Sequence, residues 1–256
     1  MLTNQEIMDI AVKQSAFDCN CAPEDFFRET SLTTPVGIGP HAKKYYEEPL
    51  TCTMVSYGNN IVASVNEECR DIVAEYIRKF VWYHCFETPN FHWLQDRLMP
   101  LGQKICFQAE YFLPDVRRLR PLPCGYETRV LTQPDFAGLY LPEWSNALCE
   151  KRKALDMLGV GAYEQGRLIA LAACSADAED MWQIGIDVLP AYRRQGIAEA
   201  LTSRLALEIL DQNKAPFYCC AWSNIRSARN AIRCGFSPAW AEMSVKPARV
   251  VDEMNA

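Results

Sequence analysis

No uninterrupted apolar run in the chain approaches the roughly 20 residues that a bilayer-crossing helix requires, which excludes a spanning helix. The twelve cysteines, at positions 19, 21, 52, 69, 85, 106, 124, 149, 174, 219, 220 and 234, contain no Cys-x-x-Cys pair, so a zinc ribbon is excluded. Most stand beside Ile, Phe, Ala or Tyr, as buried thiols of a reducing compartment do. Cys19, Cys21 and His84-Cys85 come nearest to a metal set and need the fold to assemble them; no metal is expected. The Gly-x-x-x-x-Gly-Lys-Ser/Thr loop of triphosphate binders is missing, and Gly37-Ile-Gly39 and Gly159-Val-Gly161 lack the third glycine of a dinucleotide fingerprint. There is no Gly-x-Ser-x-Gly elbow. Histidine is scarce: His41, His84 and His92 all precede the C-terminal half, which rules out a Ser-His hydrolase there. Positive charge is also in deficit, with a net charge of -6 and a pI near 5.2, which argues against a nucleic-acid surface. Residues 1–10 lack a charged-then-apolar signal region, and the expectation is a cytoplasmic protein without membrane partners.

What is present is ample apolar material. With 49% hydrophobic and 23% charged residues, the chain can bury a core without disulfide or metal staples. Its 256 residues suit one large domain or two smaller ones. The stretch from Val116 to Gly125 holds three arginines, two prolines and a glycine, resists helix and central strand alike, and reads as a connection. The expected division is therefore an N-terminal α+β domain over 1–120 and a second domain over 125–256.

In the first half, residues 50–57 and 61–65 read as strands around Gly58-Asn59-Asn60, and a helix is expected over 67–83 with Ile72, Val73, Tyr76, Ile77 and Phe80 at helical spacing. In the second half, 127–131 suggests a strand and 133–153 helical segments broken near Leu141-Pro142. Apolar β-rich runs at 160–163 and 168–174 flank a four-residue turn, and 181–189 supplies a further strand. The clearest helix carries Ile197, Leu201, Leu205 and Ile209 at every fourth position and ends at 212–216. A strand at 217–222, a helix at 223–233, a stop at Gly235 and a strand near 239–245 complete a mixed α/β order.

Between the 181–189 strand and the Ile197 helix lies Pro190-Ala-Tyr-Arg193-Arg194-Gln195-Gly196-Ile197-Ala198. A glycine-bearing turn entering a helix offers unpaired N–H groups and a partial positive charge, which together suit a diphosphate. Gly196 lets main chain approach the phosphates, and Ala198 keeps the first turn narrow. Taken alone, a basic strand-to-helix turn that binds nothing fits equally well. The segment resembles the acyl-CoA signature of the GNAT acetyltransferase superfamily, Gln/Arg-x-x-Gly-x-Gly/Ala, with Arg193, Gly196 and Ala198 at the signature positions. A second segment, from Ala221 through Asn224, Ser227 and Ala231 to Gly235-Phe236, resembles the superfamily's later motif, in which Asn opens a helix and Gly-Phe follows three turns on. The likeness covers 125–245. Ile184-Gly-Ile-Asp-Val-Leu-Pro and the preceding Trp182 resemble a bacterial branch with an additional N-terminal half.

The resemblance implies a GNAT-like mixed, strongly bent sheet flanked by helices, in which two adjacent strands, here 181–189 and 217–222, splay apart to admit the pantetheine arm. It implies acetyl-CoA as cosubstrate, no metal, and transfer to a primary amine of a small molecule or a protein N-terminus by direct attack. The Val188 amide would polarise the thioester oxygen. Asp187 is the candidate base, acting through water, against the alternative that it only satisfies backbone groups; with Val188 and Ser223 it forms the expected catalytic set. Val188, Leu189, Arg193, Arg194, Gln195, Gly196, Ile197, Ala198, Asn224 and Ser227 are the expected coenzyme contacts. Many relatives carry a tyrosine seven residues after the motif asparagine as general acid; here Ala231 stands there, leaving water, Tyr218, Ser223 or Ser227 to protonate the thiolate. Cys234 and Cys219-Cys220 are read as core rather than as acyl-accepting thiols.

The family's acceptor segment corresponds to 140–150, where Glu143, Trp144 and Asn146 could hold a cationic amine, the plainer reading being Glu143 in solvent and Trp144 in the core. In the N-terminal half, the aromatics of 80–86 and 91–93 suit core or a lid, and the strand-turn-strand-helix order suits a degenerate copy of the same fold. The contrasting functional class is a non-catalytic acyl-CoA-binding sensor or scaffold. The sequence sets no oligomeric state.

Overall fold

The computed structural model describes residues 1–44 and 51–256, so Leu50 of the first expected strand lies outside the described residues. In chain order the elements are α1 (Asn4–Cys19), β1 (Leu32–Pro35), β2 (Cys52–Ser56), β3 (Val62–Val65), α2 (Arg70–Lys79), α3 (Thr88–Leu98), β4 (Gln103–Pro114), β5 (Glu127–Thr132), β6 (Asp156–Glu164), β7 (Arg167–Ser175), β8 (Met181–Val188), α4 (Ile197–Asp211), β9 (Ala215–Ala221), α5 (Ile225–Arg233), β10 (Phe236–Pro247) and α6 (Ala248–Met254). Among the described residues no helix is long and apolar enough to cross a membrane.

Two compact units form. One comprises residues 1–11 with 112–238, the other 12–111 with 239–256. The sequence places the second boundary at the C-terminus, whereas the contacts assign 239–256 to the unit of the N-terminal half. The reason is a non-local pairing: Ala241 to Val245 of β10 run antiparallel to Ser56 to Cys52 of β2. The 116–125 stretch is not a free linker either. Asp115 N–H donates to the Gly235 carbonyl at 2.9 Å, and the Arg118 and Leu119 amides donate to Asp115 O, both at 2.8 Å. Asn4 explains why the first residues join this unit: its amide donates to Asp115 Oδ1 at 2.7 Å and its oxygen accepts from Val116 N–H at 2.8 Å.

In the unit of 12–111, β2 and β3 pair antiparallel around the expected glycine turn, and β1 adds parallel to β3. Val73, Tyr76 and Ile77 of α2 and Leu94 and Leu98 of α3 pack on Met54, Ala63, Val65 and Met243. Helix α2 stops at Lys79, four residues before the expected end. Phe80 turns extended, packs on Tyr76 at 5.3 Å between ring centres, and the Tyr76 hydroxyl donates to the Cys85 carbonyl, so the chain doubles back around one tyrosine. Trp93 stacks on the same ring at 5.9 Å, and Phe80, Trp82, Phe86, Phe91 and Trp93 pack partly buried against the core, while Tyr83, His84 and His92 are exposed.

In the other unit, β5, β6, β7 and β8 form an antiparallel run, and β9 adds parallel to β8. The β6–β7 turn uses Gln165 and Gly166 at φ of 49° and 79°, the left-handed pair that tight hairpins require. Helix α4 buries Ile197, Leu201, Leu205 and Ile209 as its four-residue spacing predicts. Residues 133–153, expected as helical segments, form only three short 3-10 turns, Gln133–Phe136, Pro142–Trp144 and Glu150–Leu155. Pro134 and Pro142 start two of them, and Gly138 at φ of 83° breaks any continuation. Strand β9 begins at Ala215, two residues earlier than expected, because Pro216 sits within the short ladder opposite Trp182.

Candidate functional site

Strands β8 and β9 are in register only over three residue pairs, Met181 with Ala215, Trp182 with Pro216 and Gln183 with Phe217. Beyond Gln183 the two diverge, and a cleft of 1160 Å³ opens between the rest of β8, β9 at Tyr218 to Cys220, the 190–196 turn, the start of α4 and one face of α5. The direction of the freed backbone follows from the ladder on the other side. Leu189 N–H donates to the Ile169 carbonyl at 3.0 Å. Because main-chain groups alternate between the two edges of a strand, the Val188 N–H faces the opposite edge, the one β9 has left. The Val188 carbonyl on that edge accepts from Arg193 Nε at 2.9 Å, tying the turn to the strand.

The turn itself has the backbone its sequence suggests. Arg194 and Gly196 both adopt left-handed conformations, at φ of 65° and 78°, and Gly196 is the residue that leads into α4. The first-turn amides of a helix have no acceptor within it, so this end presents donors to the cleft. Tyr126 braces the outside of the turn by donating its hydroxyl to Gln195 Oε1 at 2.7 Å, and Tyr192 donates to Glu164 Oε2 at 2.5 Å. Of the expected coenzyme contacts, Val188, Arg193, Arg194, Gly196, Ile197, Ala198, Asn224 and Ser227 line the cleft. Leu189 and Gln195 do not: Leu189 packs with the cluster around Phe136 and Trp144, and Gln195 points to Tyr126. Ser223 is exposed and does not line the cleft, though the adjacent Asn224 does. Asn224 caps α5 by accepting from Ser227 N–H at 3.2 Å.

Sequence reasoning missed Arg226, Arg229 and Arg233, which also line the cleft. The signal was available, since their spacing of three and four residues puts them on one face of α5. Together with Arg193 and Arg194 they make a strongly cationic wall, offset locally by Glu199, which pairs with Arg233 at 2.7 Å.

At the acceptor segment, only Asn146 lines the cleft. Glu143 is exposed, and Trp144 is 4% exposed within the cluster of Phe136, Leu148 and Leu171, so it cannot stack on a ligand. Asp187 holds this segment to β8. Its carboxylate accepts from the Asn146 amide N–H at 2.9 Å, from Asn146 Nδ2 at 2.6 Å and from the Ala147 N–H at 3.0 Å. Two residues earlier on the same face of β8, Gly185 leaves the space that lets this segment approach: a Cβ there would stand 1.9 Å from the Asn146 carbonyl oxygen. Asp187 thus satisfies backbone groups of a neighbouring segment and also lines the cleft.

Ala231 is fully buried. Tyr218, 3% exposed, presents its hydroxyl 2.7 Å from Ser227 Oγ, and burial pushes its phenol above the usual range. All twelve cysteines are free thiols. Burial pushes Cys234 up to about 12 and its thiol donates to the Glu199 carbonyl at 3.3 Å, so it is an inert core group rather than a nucleophile. Among the described residues no group of three His, Cys, Asp or Glu could hold a metal ion, and Cys19, Cys21, His84 and Cys85 form no such group.

A glycine turn feeding a helix, five arginines and an unzipped strand edge suit an elongated anionic ligand lying along β8. The GNAT acetyltransferase family model matches residues 116–239, so this C-terminal stretch, just under half of the chain, is similar to that family. No curated protein matches the chain. Among solved structures, a GCN5-related N-acetyltransferase from Kribbella flavida is 13% identical, with 96% of each chain covered and a TM-score of 0.50, so the fold likeness takes in the N-terminal half as well. A GNAT-family protein from Novosphingobium aromaticivorans is 16% identical over 56% of this chain and 66% of its own, with a TM-score of 0.43. A GNAT-family acetyltransferase from Colwellia psychrerythraea is 14% identical over 59% of this chain and 61% of its own, also with a TM-score of 0.43. The chain thus spans under two thirds of the length of these last two proteins.

Proposed function

We propose that the protein transfers an acetyl group from acetyl-CoA to a primary amine, on a small molecule or a protein N-terminus, by direct attack. The observation that carries this reading is the freed edge of β8, with the Val188 N–H turned toward the space β9 vacates. A donor fixed there stabilises the charge that develops on the thioester oxygen as nitrogen attacks. The glycine turn and the arginine wall suit the coenzyme's phosphates, leaving its acyl end beside Val188. Holding donor and amine together supplies much of the rate. An alkylamine, with a pKa of about 10.4, arrives protonated. No histidine exists in this unit, and Asp187 is occupied with Asn146 and Ala147, so water takes that proton while Asp187 positions the acceptor segment.

The test is release of free CoA from acetyl-CoA in the presence of a panel of amines and peptide N-termini. Acceptor-dependent release supports the proposal. Calorimetric binding of acetyl-CoA with no release from any acceptor would favour the sensor or scaffold reading, which the buried Ala231 at the family's acid position motivates.

Asp187→Asn separates positioning from base chemistry. The amide keeps one oxygen for the backbone donors but sets an NH2 group against Asn146, and turnover is expected to fall about tenfold through loss of a charged acceptor. A positioning role leaves the pH dependence of kcat unmoved. Disappearance of the rising limb of the pH profile would restore Asp187 as base.

A further inference from the structure

We propose that Glu199 sets the affinity of the cleft by competing with the coenzyme's diphosphate for Arg233. This inference rests on the acetyl-CoA reading and adds to that site a residue that opposes binding.

A carboxylate is an unfavourable neighbour for a phosphate. Glu199 lies in the first turn of α4 and lines the cleft, and its Oε2 stands 3.8 Å from the position a Cβ would take on Gly196. Its charge therefore sits at the helix start, beside the unpaired amides that suit a diphosphate. Its other oxygen, Oε1, accepts from Arg233 Nη1 at 2.7 Å, and Arg233 lines the cleft from the last position of α5. Glu199 and an incoming diphosphate thus call on the same positive groups.

The ion pair is not what fastens α5 to α4. Asn230 Nδ2 donates to Thr202 Oγ1 at 3.1 Å between two buried side chains, and the Cys234 thiol donates to the main-chain carbonyl of Glu199 at 3.3 Å. Neither contact uses the Glu199 carboxylate. The Arg233 side chain is 66% exposed, and an ion pair so open to solvent adds little to such docking. A carboxylate in a first turn does complement the helix dipole. That same positive end attracts the ligand, so what favours Glu199 in the fold sets it against the diphosphate. On binding, Arg233 changes partner and the partly exposed Glu199 side chain turns to solvent. The broken ion pair is subtracted from the affinity, and CoA leaves sooner after transfer than the arginine wall alone would allow.

The experiment is titration calorimetry with acetyl-CoA at low salt, on the wild type, Glu199→Gln, Arg233→Gln and the double variant. Glu199→Gln is expected to tighten binding about tenfold, as removal of one charge from beside a diphosphate should. Glu199→Ala should tighten it likewise. Arg233→Gln should weaken binding by less than about threefold in the wild type, where that guanidinium is already engaged, and by about tenfold in the Glu199→Gln background. With ADP, which carries a diphosphate, Glu199→Gln should show the same gain; with acetyl-pantetheine, which carries none, it should show no gain. Unchanged or weaker binding of acetyl-CoA to Glu199→Gln overturns the proposal, as does a gain with acetyl-pantetheine. An equal cost of Arg233→Gln in both backgrounds also overturns it, since the two charges then act independently. If the wild type and every variant bind no acetyl-CoA, the underlying reading fails as well; wild-type binding with no gain in Glu199→Gln removes the competitor role alone.

Discussion

Gly185→Ala is expected to abolish acceptor-dependent turnover and to lower the melting temperature by several degrees while leaving acetyl-CoA binding measurable. The added Cβ would lie 1.9 Å from the Asn146 carbonyl oxygen, 2.8 Å from its carbon and 3.1 Å from the Ala147 Cα. All three are main-chain atoms, so no side-chain rotation relieves the overlap. Gly185 pairs with Ala173 inside the β7–β8 ladder and has little freedom to retreat. The 146–147 segment must therefore lift from β8, and in lifting it breaks the three hydrogen bonds to Asp187. Overpacking of this kind costs about 1–3 kcal/mol, and in a chain of this size each kcal/mol moves the midpoint by about 2–4 °C. The end of the cleft at the 190–196 turn is built from other residues and should survive. Thermal denaturation, calorimetry with acetyl-CoA and the amine assay together read all three consequences. Full turnover with an unchanged melting temperature would show that the acceptor segment does not depend on this approach.

Gly196→Glu is expected to weaken acetyl-CoA binding by about ten-thousandfold. Two effects combine. At φ of 78° a side chain costs about 1–2 kcal/mol that glycine avoids. A carboxylate placed about 4 Å from a phosphate adds about 4 kcal/mol of repulsion at an effective dielectric of about 20. Gly196→Ala isolates the first effect, because a Cβ there meets only Glu199 Oε2, at 3.8 Å, and suffers no clash. Titration calorimetry on both variants should rank them wild type, Ala, Glu. If the glutamate variant binds as the alanine one does, the phosphates lie elsewhere.

The 190–196 turn and α4 could be read from the chain because what shapes them is local. A positive φ needs glycine at 196, and the buried face of α4 repeats every fourth residue. The role of Asp187 could not be read that way, since its partners stand 41 and 40 residues upstream and nothing in Ile184-Gly-Ile-Asp announces them. Trp144 illustrates the same limit. An aromatic beside a carboxylate suits a cation pocket or a core equally, and only the packing of Phe136 and Leu171 around it decides. The assignment of 239–256 to the other unit rests on pairing between β10 and β2, which are nearly two hundred positions apart in the sequence. The arginine face of α5 is the opposite case: its three-and-four spacing stands openly in the sequence.

The sign of the molecule's field depends on distance. The chain as a whole carries a formal charge of -6, yet five guanidinium groups crowd one cleft of its C-terminal half. At physiological ionic strength screening confines each charge to about 8 Å. On the proposed function, a polyphosphorylated carrier drifting toward the surface would be weakly repelled at long range and held only once it reached the cleft mouth. Capture would then depend on close encounter rather than on steering from afar.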